Sequence, residues 1–190
     1  MQITSFGELK SYIASDAYRY TGGGSSFKLY FLNIGFRYTF WMRTCCYLKR
    51  TRLLFPLWII AFFYLRHLSF KSGIQIPYNA NIDKGFYIGH FGTIVVNGCA
   101  TIGKNVNISP GVNIGKANRG KNKGYPTIGN CVYIGPGAKI IGAVHIGNNV
   151  AIGANAVVTK DIPNNACVGG VPAKILSMDG AEGYVNRIIK

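Results

Sequence analysis

The sequence predicts a mainly β chain, in which a parallel β-helix of short repeated strands follows an α-helical N-terminal region. Three observations carry this prediction. Aliphatic residues return at every sixth position through most of the chain after residue 73. Glycine and asparagine stand between them, as they do at tight corners. The first 72 residues lack the repeat and are instead rich in aromatic and basic side chains.

The N-terminal region, residues 1–72, holds ten basic and two acidic residues. The segment TGGGSSFK, Thr21 to Lys28, is typical of a flexible turn or linker. The aromatic stretch after it, residues 30–52, is predicted to be helical, with its arginines and lysines on one side.

An apolar stretch, LLFPLWIIAFFYL, then runs over residues 53–65, with Arg52 before it and Arg66 and Lys71 after it. It is shorter than the roughly 20 residues that a membrane-spanning helix needs, and Pro56 suits a first helical turn. Two interpretations remain open at this point. The stretch lies on an anionic membrane surface, or it is a helix buried against its own chain or an oligomer partner.

The six-residue repeat fits neither a helix nor a single long strand. A helix would carry the aliphatic series around its whole surface, and a long strand would be broken by the glycines. A short strand, a corner and another short strand would point every repeated residue into one interior, as in solenoids. The period alone fixes neither the number of units per turn nor the handedness. The repeated positions are Ile76, Ile82, Ile88, Val96, Ile102, Ile108, Ile114, Ile128, Ile134, Ile140, Ile146, Ile152 and Val158.

The repeat is interrupted twice. The step from Ile88 to Val96 is eight residues, and His90 stands at the start of this insertion. The step from Ile114 to Ile128 is fourteen residues and contains four basic residues without an apolar pattern. Excursions from a rigid scaffold are where binding residues tend to lie.

These interruptions and the repeat give the remaining boundaries. The β-helix is predicted over residues 73–172, with the excursion loop at 115–127. The last segment, 173–190, is expected to be a C-terminal tail with a short helix.

Charge and cysteine content narrow the functional classes. The net charge is +15, which favours anionic partners, but the basic residues are dispersed and no basic-aromatic stacking motif points to nucleic acid. The five cysteines have no metal-binding spacing, so we expect no metal and reduced, mostly buried thiols. The N-terminus has no secretion-signal pattern, from which we expect a cytoplasmic location, peripheral at the inner face of the membrane if residues 53–65 lie on it.

The segment IGNCVYIGPGAKIIGAVHIGNNVAIGANAVVTKDIP, followed by GGVPAKIL, resembles the hexapeptide-repeat acyltransferases. The earlier GHFGTIVV and the excursion before PTIGN are similar to the serine acetyltransferase branch, and the resemblance covers roughly Gly73 to Leu176. It implies a left-handed β-helix and a homotrimer with sites in the clefts between neighbouring copies. It also implies acetyl-CoA as co-substrate, with no cofactor permanently bound.

The resemblance places the family's general base at His90. Acetyl transfer from a thioester to a hydroxyl requires removal of the hydroxyl proton, and imidazole suits that task near neutral pH. The family's oxyanion donor corresponds to a backbone N–H at Gly115 or Lys116. We expect His145 to be structural and His67 to lie on the surface, while Cys99 as nucleophile is a weaker alternative without a base beside it.

The phosphates of CoA are expected to meet Lys160 and Lys174 near the end of the β-helix. Ala138 and Ala156 are expected to leave room for backbone groups to reach the pantetheine amides.

The sequence departs from the serine acetyltransferase pattern at three acceptor-side positions. The family's aspartate fifteen residues before the base is Gln75, the aspartate just before the base is Gly89, and a histidine of the excursion is Tyr125. Because Gln75 and Tyr125 are neutral, we expect the acceptor to be a sugar hydroxyl of a surface polysaccharide or glycan. Serine as acceptor, for cysteine synthesis, and a non-catalytic trimeric scaffold are the alternatives.

Overall fold

The computed structural model describes residues 3–189, and four helices occupy the N-terminal part of this range. A capping box starts α1, in which the Ser5 hydroxyl accepts from the Glu8 N–H and the Glu8 carboxylate accepts from the Ser5 N–H. The glycines of the expected linker separate the first two helices, but α2 begins within it, at Ser26. Pro56 lies in the first turn of the last helix, as expected. The bounds are α1 Phe6–Thr21, α2 Ser26–Leu32, α3 Ile34–Leu48 and α4 Phe55–Ser72, with a 3-10 turn at Arg52–Leu54.

The remainder is a stack of two- to four-residue strands joined by tight corners. Fifteen strands lie in the described range. They are β1 Ile74–Gln75, β2 Asn81–Ile82, β3 Tyr87–Ile88, β4 Ile94–Val96, β5 Thr101–Ile102, β6 Asn107–Ile108, β7 Asn113–Gly115, β8 Thr127–Ile128, β9 Tyr133–Ile134, β10 Lys139–Ile141, β11 His145–Ile146, β12 Ala151–Ile152, β13 Val157–Val158, β14 Cys167–Gly169 and β15 Lys174–Ser177.

These strands form three sheets, one on each side of a triangular prism, and all their pairings are parallel except that of β14 with β15. The first sheet has the order β1-β4-β7-β10-β13, the second β2-β5-β8-β11, and the third β3-β6-β9-β12-β14-β15. Each strand up to β10 therefore pairs with the third strand after it, which gives three six-residue units per turn. The repeated residues stay in register across both interruptions, since Ile88 pairs with Ile108 and Ile108 pairs with Ile134 despite the inserted residues. Where nothing is inserted, Ile134 pairs with Ile152 at the regular spacing of eighteen.

The repeated aliphatic residues form the core of the prism, as the period predicts. All thirteen repeated positions are at most 2% exposed. The residues four positions after them fill the corners from inside, and Ala80, Ala100, Val132 and Val150 are fully buried. At about 25 cal/mol per Å² of apolar surface, this continuous column is the main source of stability in the β-helix.

The Ile-Gly-Asn pattern has a steric reason at the corner between the second and third sheets. The Asn148 side-chain oxygen accepts the Asn130 backbone N–H at 2.7 Å, so that one coil satisfies a corner donor of the coil before it. That oxygen lies 2.7 Å from where a Cβ on Gly129 would stand, so only glycine fits. Two further pairs repeat the arrangement, Gly103 with Asn130 and Gly147 with Asn164.

The helices cap the open first coil of the β-helix. The Tyr38 hydroxyl donates to the Ile76 carbonyl at 2.9 Å and accepts from its N–H at 3.0 Å. The Tyr20 hydroxyl makes the same pair of bonds with Ile88. Gly35 of α3 comes so close that a Cβ there would lie 2.2 Å from the Ile88 carbonyl oxygen. Two tyrosines therefore replace the bonds that a preceding coil would have made.

A buried ion pair completes this cap on the second sheet. Arg43 of α3 and Asp16 of α1 are 0% and 1% exposed, and their Nε and Oδ2 atoms are 3.0 Å apart. Arg43 also donates to the Ile82 and Asp83 carbonyls, and Asp16 accepts the Phe86 N–H at 2.9 Å. Both charges are satisfied by each other and by coil backbone, which is the condition for tolerating a buried pair.

The apolar stretch predicted at residues 53–65 forms most of α4. One face, containing Ala61, Leu65 and Leu68, is buried against α3 and β1. The opposite face is exposed, so packing against its own chain accounts for only part of the helix. Within the described residues, the 21-residue helix Arg52–Ser72 alone has the length and composition to cross a membrane, a criterion that core helices of soluble proteins also meet.

The short helix expected within residues 173–190 does not form in the described part of that segment. Lys174–Ser177 is instead strand β15, antiparallel to β14. The chain then turns at Gly180 and Gly183, both with positive φ, and runs back along the third sheet. Side-chain amides of the sheet hold it there, since Asn107 donates to the Tyr184 carbonyl and Asn105 exchanges two bonds with Ile189.

We predict that Arg43→Met destabilises the protein by about 3–5 kcal/mol, because it leaves the Asp16 carboxylate buried without its partner. Urea unfolding followed by circular dichroism measures the change. The matched control is Arg37→Met on the same helix, since Arg37 is half-buried and bonds only the Tyr30 and Phe31 carbonyls nearby. An equal loss in both variants would contradict the capping role of the pair.

Candidate active site

His90 lies at the edge of the prism where the third sheet turns into the first, between β3 and β4. We call this the His90 edge. The imidazole is exposed and faces a cleft of about 320 Å³. The walls of the cleft are Tyr87, Gly89, Asn107, Ile108, Ser109, Pro110, Tyr133, Pro136 and Tyr184. A histidine in this position is reachable from solvent and from a neighbouring molecule.

The backbone around His90 is held from both sides. Before it, the Tyr20 hydroxyl fixes Ile88. After it, Gly92 has a φ of 139°, and a Cβ there would stand 3.0 Å from Pro110 of the next coil. The two inserted residues therefore form a tight corner that projects His90 outward.

No described residue forms a hydrogen bond with the His90 imidazole. The position just before it is restricted as well, because a Cβ on Gly89 would lie 3.1 Å from the Tyr87 ring. The structure therefore supplies no orienting carboxylate from within the described chain.

Gln75 is exposed on β1, but in a different cleft from His90. This second cleft, of about 450 Å³, separates α4 from the first sheet and includes Tyr38, Arg66, Tyr78 and Asn97. Within one chain, the structure does not bring Gln75 into the cleft of His90.

The excursion predicted at 115–127 occupies residues 116–126, because Gly115 ends β7 and Thr127 begins β8. It folds as a narrow hairpin, in which Ala117 and Gly124 exchange two backbone bonds. It lies at the edge between the first and second sheets, which we call the excursion edge.

The hairpin packs down along two further coils. The Asn122 carbonyl accepts the Ala143 N–H at 2.9 Å, and its side chain donates to the Thr159 carbonyl at 2.6 Å. Lys116 stands over the half-buried Tyr125 ring, with Nζ 5.4 Å from the centroid. Lys116 and Tyr125 are thus brought together, next to Gly115 at the end of β7.

The excursion edge is strongly basic. Lys160 is exposed beside Thr159 and so lies next to the hairpin that Asn122 fastens there. The exposed cations of the hairpin are Lys116, Arg119, Lys121 and Lys123. Lys174 lies apart from this group, exposed on β15 at the end of the third sheet.

The role expected for Ala138 and Ala156 toward CoA stays a prediction. Both side chains are fully buried in the core. The Ala138 N–H donates to the Gly135 carbonyl, and the Ala156 N–H donates to the Gly153 carbonyl. The N–H groups of both alanines are thus bonded within their own corners, and the prediction concerns the other backbone groups beside them.

Two other singled-out residues, His145 and His67, lie outside both edges, while Cys99 lies on the excursion edge one coil before the hairpin. His145 is exposed on the second sheet, and its N–H donates to Asp161. His67 is exposed on α4, 6.4 Å from the Tyr64 ring. Cys99 is exposed, whereas burial raises the pKa of the Cys45 thiol to about 12. Among the residues described, no group of three or more metal-ligating side chains occurs.

Sequence reasoning missed the contribution of the C-terminal tail. Tyr184 stacks on Tyr133 with ring centroids 4.6 Å apart and forms a wall of the cleft at His90. No repeat or motif marks Tyr184, because its position depends on distant residues: Asn107 donates to its carbonyl, and the Asn149 side chain accepts the N–H of Ala181 just before it.

His90 and the excursion lie on opposite edges of the first sheet. Each side of the prism is about six residues long, which at about 3.3 Å per residue is roughly 20 Å. This separation is far larger than the roughly 3–3.5 Å of a reactive contact. His90 on one edge and the excursion residues on the other therefore form two half-sites in one chain.

The family match and the relatives found by comparison with known proteins agree with one another. Residues 125–160 match the bacterial transferase hexapeptide (six repeats) family. Serine acetyltransferase of Staphylococcus aureus (strain N315) is 40% identical over 113 residues, 60% of this chain and 53% of that protein. The chain spans about half the length of the curated relatives it matches.

The solved structures agree over a larger share of the chain. Neisseria gonorrhoeae serine acetyltransferase in complex with serine has a TM-score of 0.72 at 29% identity, covering 91% of this chain and 71% of that one. Serine acetyltransferase in complex with coenzyme A from Brucella abortus also has a TM-score of 0.72, at 27% identity, with 89% and 66% covered.

These relatives overturn the expected acceptor. The replacement of charged residues by Gln75, Gly89 and Tyr125 led to the expectation of a sugar hydroxyl, and that expectation is wrong. The similar proteins are serine acetyltransferases, and one of them was crystallised with serine. For the identity of the acceptor, the replacements at Gln75, Gly89 and Tyr125 are weaker evidence than similarity along nine-tenths of the chain.

The expectation for the fold is confirmed, since the prism is a left-handed β-helix preceded by a helical region. Residues 125–160 therefore carry the hexapeptide repeat of bacterial transferases, and serine acetyltransferases are among the proteins that this chain resembles.

Proposed function

We propose that this protein is an acetyl-CoA-dependent acyltransferase that acetylates the hydroxyl of serine. The observation that carries the proposal is the likeness to serine acetyltransferases over nine-tenths of the chain, which includes the edge that projects His90 into an open cleft. Acetyl-CoA is a co-substrate here, and no permanently bound cofactor is required.

Catalysis needs one general base and one oxyanion site. The His90 imidazole removes the proton of the serine hydroxyl while the oxygen attacks the thioester carbonyl. A backbone N–H at Gly115 or Lys116 stabilises the negative charge on the resulting tetrahedral oxygen. The intermediate expels the CoA thiolate, which takes the proton from the imidazolium. No covalent acyl-enzyme forms.

A complete site requires two copies of the chain. The His90 edge of one copy facing the excursion edge of the next would bring the two half-sites together. A closed ring of three prisms repeats this contact three times, consistent with the trimers general in this family.

The positive charge of the excursion edge suits acetyl-CoA, the acetyl donor. CoA carries a pyrophosphate and a 3′-phosphate, and cations recognise them as point charges. Arg119, Lys121, Lys123 and Lys160 are exposed together there. Lys174 would reach the same ligand only from a neighbouring copy, since it lies on a different face.

Serine is a zwitterion, and its buried charges need partners. Gln75 and Tyr125 offer neutral hydrogen-bonding groups only. Lys116, which already stands over Tyr125, is the cation we assign to the serine carboxylate.

We predict that His90→Ala lowers turnover by at least about 100-fold, because general-base catalysis is worth about that factor. A thiol-release assay with acetyl-CoA and serine measures it. His145→Ala is the matched control and keeps near-normal turnover, since His145 lies on the second sheet. A His90→Ala enzyme with normal turnover and intact assembly would overturn the assignment.

We predict that serine is acetylated with kcat/KM of about 10⁴ M⁻¹s⁻¹ or more. Ethanolamine, which lacks the carboxylate, should be poorer by about 100-fold, because a site built for a polar group rejects an analogue that leaves it unpaired. The same assay compares both acceptors. Ethanolamine matching serine would exclude carboxylate recognition, and inactivity with both would exclude serine as the acceptor.

A further inference from the structure

The outward face of α4, together with the 3-10 turn before it, carries an apolar stripe that no described residue covers and that the exposed His67 interrupts. It consists of Leu53, Leu57, Ile60, Phe63 and Phe70, which are 92%, 53%, 67%, 67% and 78% exposed. Intervals of three or four residues place Leu57, Ile60 and Phe63 along one line of the helix. At 1.5 Å per residue, the stripe from Leu57 to Phe70 is about 20 Å long. A helix that is apolar on all sides is normally covered on all sides.

A second apolar surface borders the first across α3. Trp41 of α3 donates to the Tyr30 hydroxyl of α2 at 2.9 Å, and its ring lies 4.9 Å from that of Tyr64 of α4. The two helices therefore flank the same tryptophan. The exposed apolar side chains of α2 are Phe27, Phe31 and Leu32, at 73%, 58% and 84%.

The charges around these surfaces have one sign. The exposed cations of this region include Lys28, Arg50, Arg52, Arg66 and Lys71.

Between residues 3 and 72 there are only two acids to oppose them. Asp16 is buried in its pair with Arg43, and Glu8 is bound to Thr4 and Ser5 at the start of α1.

Charge complementarity decides which occupant fits. A symmetric contact between two copies would set this cationic surface against itself, which is unfavourable. Anionic lipid headgroups offer the opposite charge, and the acyl boundary beneath them accepts apolar side chains.

The packing of α4 decides the orientation. Its inner face, with Ala61, Leu65 and Leu68, is at most 5% exposed and belongs to the core. A spanning orientation would pull these residues away from α3 and β1, whereas a helix lying in the plane of the surface keeps them buried.

We propose that the helical region docks on an anionic membrane, with α4 parallel to the surface and its stripe in the headgroup–acyl boundary. This places the protein at the membrane while the β-helix remains in water. The inference is independent of the acceptor and of the catalytic role of His90.

Vesicle flotation of the full chain tests it. The probes are vesicles of phosphatidylcholine alone and vesicles in which about a third of the lipid is phosphatidylglycerol. We expect flotation with the anionic vesicles, little with the neutral ones, and release at about 1 M salt, where the Debye length falls to about 3 Å.

Two variants and their controls identify the surface. The double variant Ile60→Ser, Phe63→Ser should lower vesicle partitioning by at least about tenfold, because the wild-type Ile60 and Phe63 side chains are expected to enter the apolar layer. Leu176→Ser, an equally exposed apolar residue on β15, should leave it unchanged. Arg52→Gln with Lys71→Gln should lower it about tenfold or more, whereas Lys104→Gln on the β-helix should not.

Three results would overturn the proposal. The first is that the wild-type chain does not bind anionic vesicles. The second is that the stripe variant and the control variants partition equally. The third is that the Ile60→Ser, Phe63→Ser variant changes the oligomeric state in light scattering without changing vesicle binding. That last outcome would assign the stripe to a second copy of the chain.

Discussion

The open end of the β-helix is the constraint on which the rest of the structure depends. Each coil satisfies its backbone through the next one, so the first coil presents donors and acceptors that need other partners. Tyr38, Tyr20 and the Arg43–Asp16 pair supply them, on the first, third and second sides respectively. The helical region is therefore fixed to the β-helix through directed bonds as well as apolar packing.

This attachment sets the geometry of both candidate surfaces. Because Tyr20 holds Ile88, the corner carrying His90 starts from a fixed backbone. The prism then keeps His90 and the excursion on opposite edges, so that assembly is part of the site. The same cap leaves the outer side of α4 uncovered, at the end of the prism away from the later coils. Chemistry at the edges and attachment at the capped end can therefore coexist in one molecule.

The sequence predicted the features that depend on local repetition, and few of those that depend on distant polar contacts. The thirteen inward residues follow from the period of six, because no helix or single strand keeps such a series on one side. The bond between Arg43 and Asp16 joins residues with no sequence signal linking them. The C-terminal segment was expected to contain a short helix, but its first residues pair with the edge of β14 as a strand. Beyond that strand, Asn107 holds the chain by a hydrogen bond. Gln75 and Tyr125 misled the acceptor assignment because local chemistry was interpreted without the similarity of the whole chain.

The most direct test of the central claim is activity in mixed assemblies, since the site is proposed to join two copies. One chain carries His90→Ala, and the other has Lys116, Arg119, Lys121 and Lys123 all replaced by Gln. Each is assembled alone and then jointly in equal amounts, and acetyl transfer to serine is measured at low acetyl-CoA. If the half-sites meet between copies, about a quarter of the sites in the mixture pair an intact His90 with an intact excursion, and activity rises well above either parent. Activity no greater than the average of the two parents would contradict a shared site.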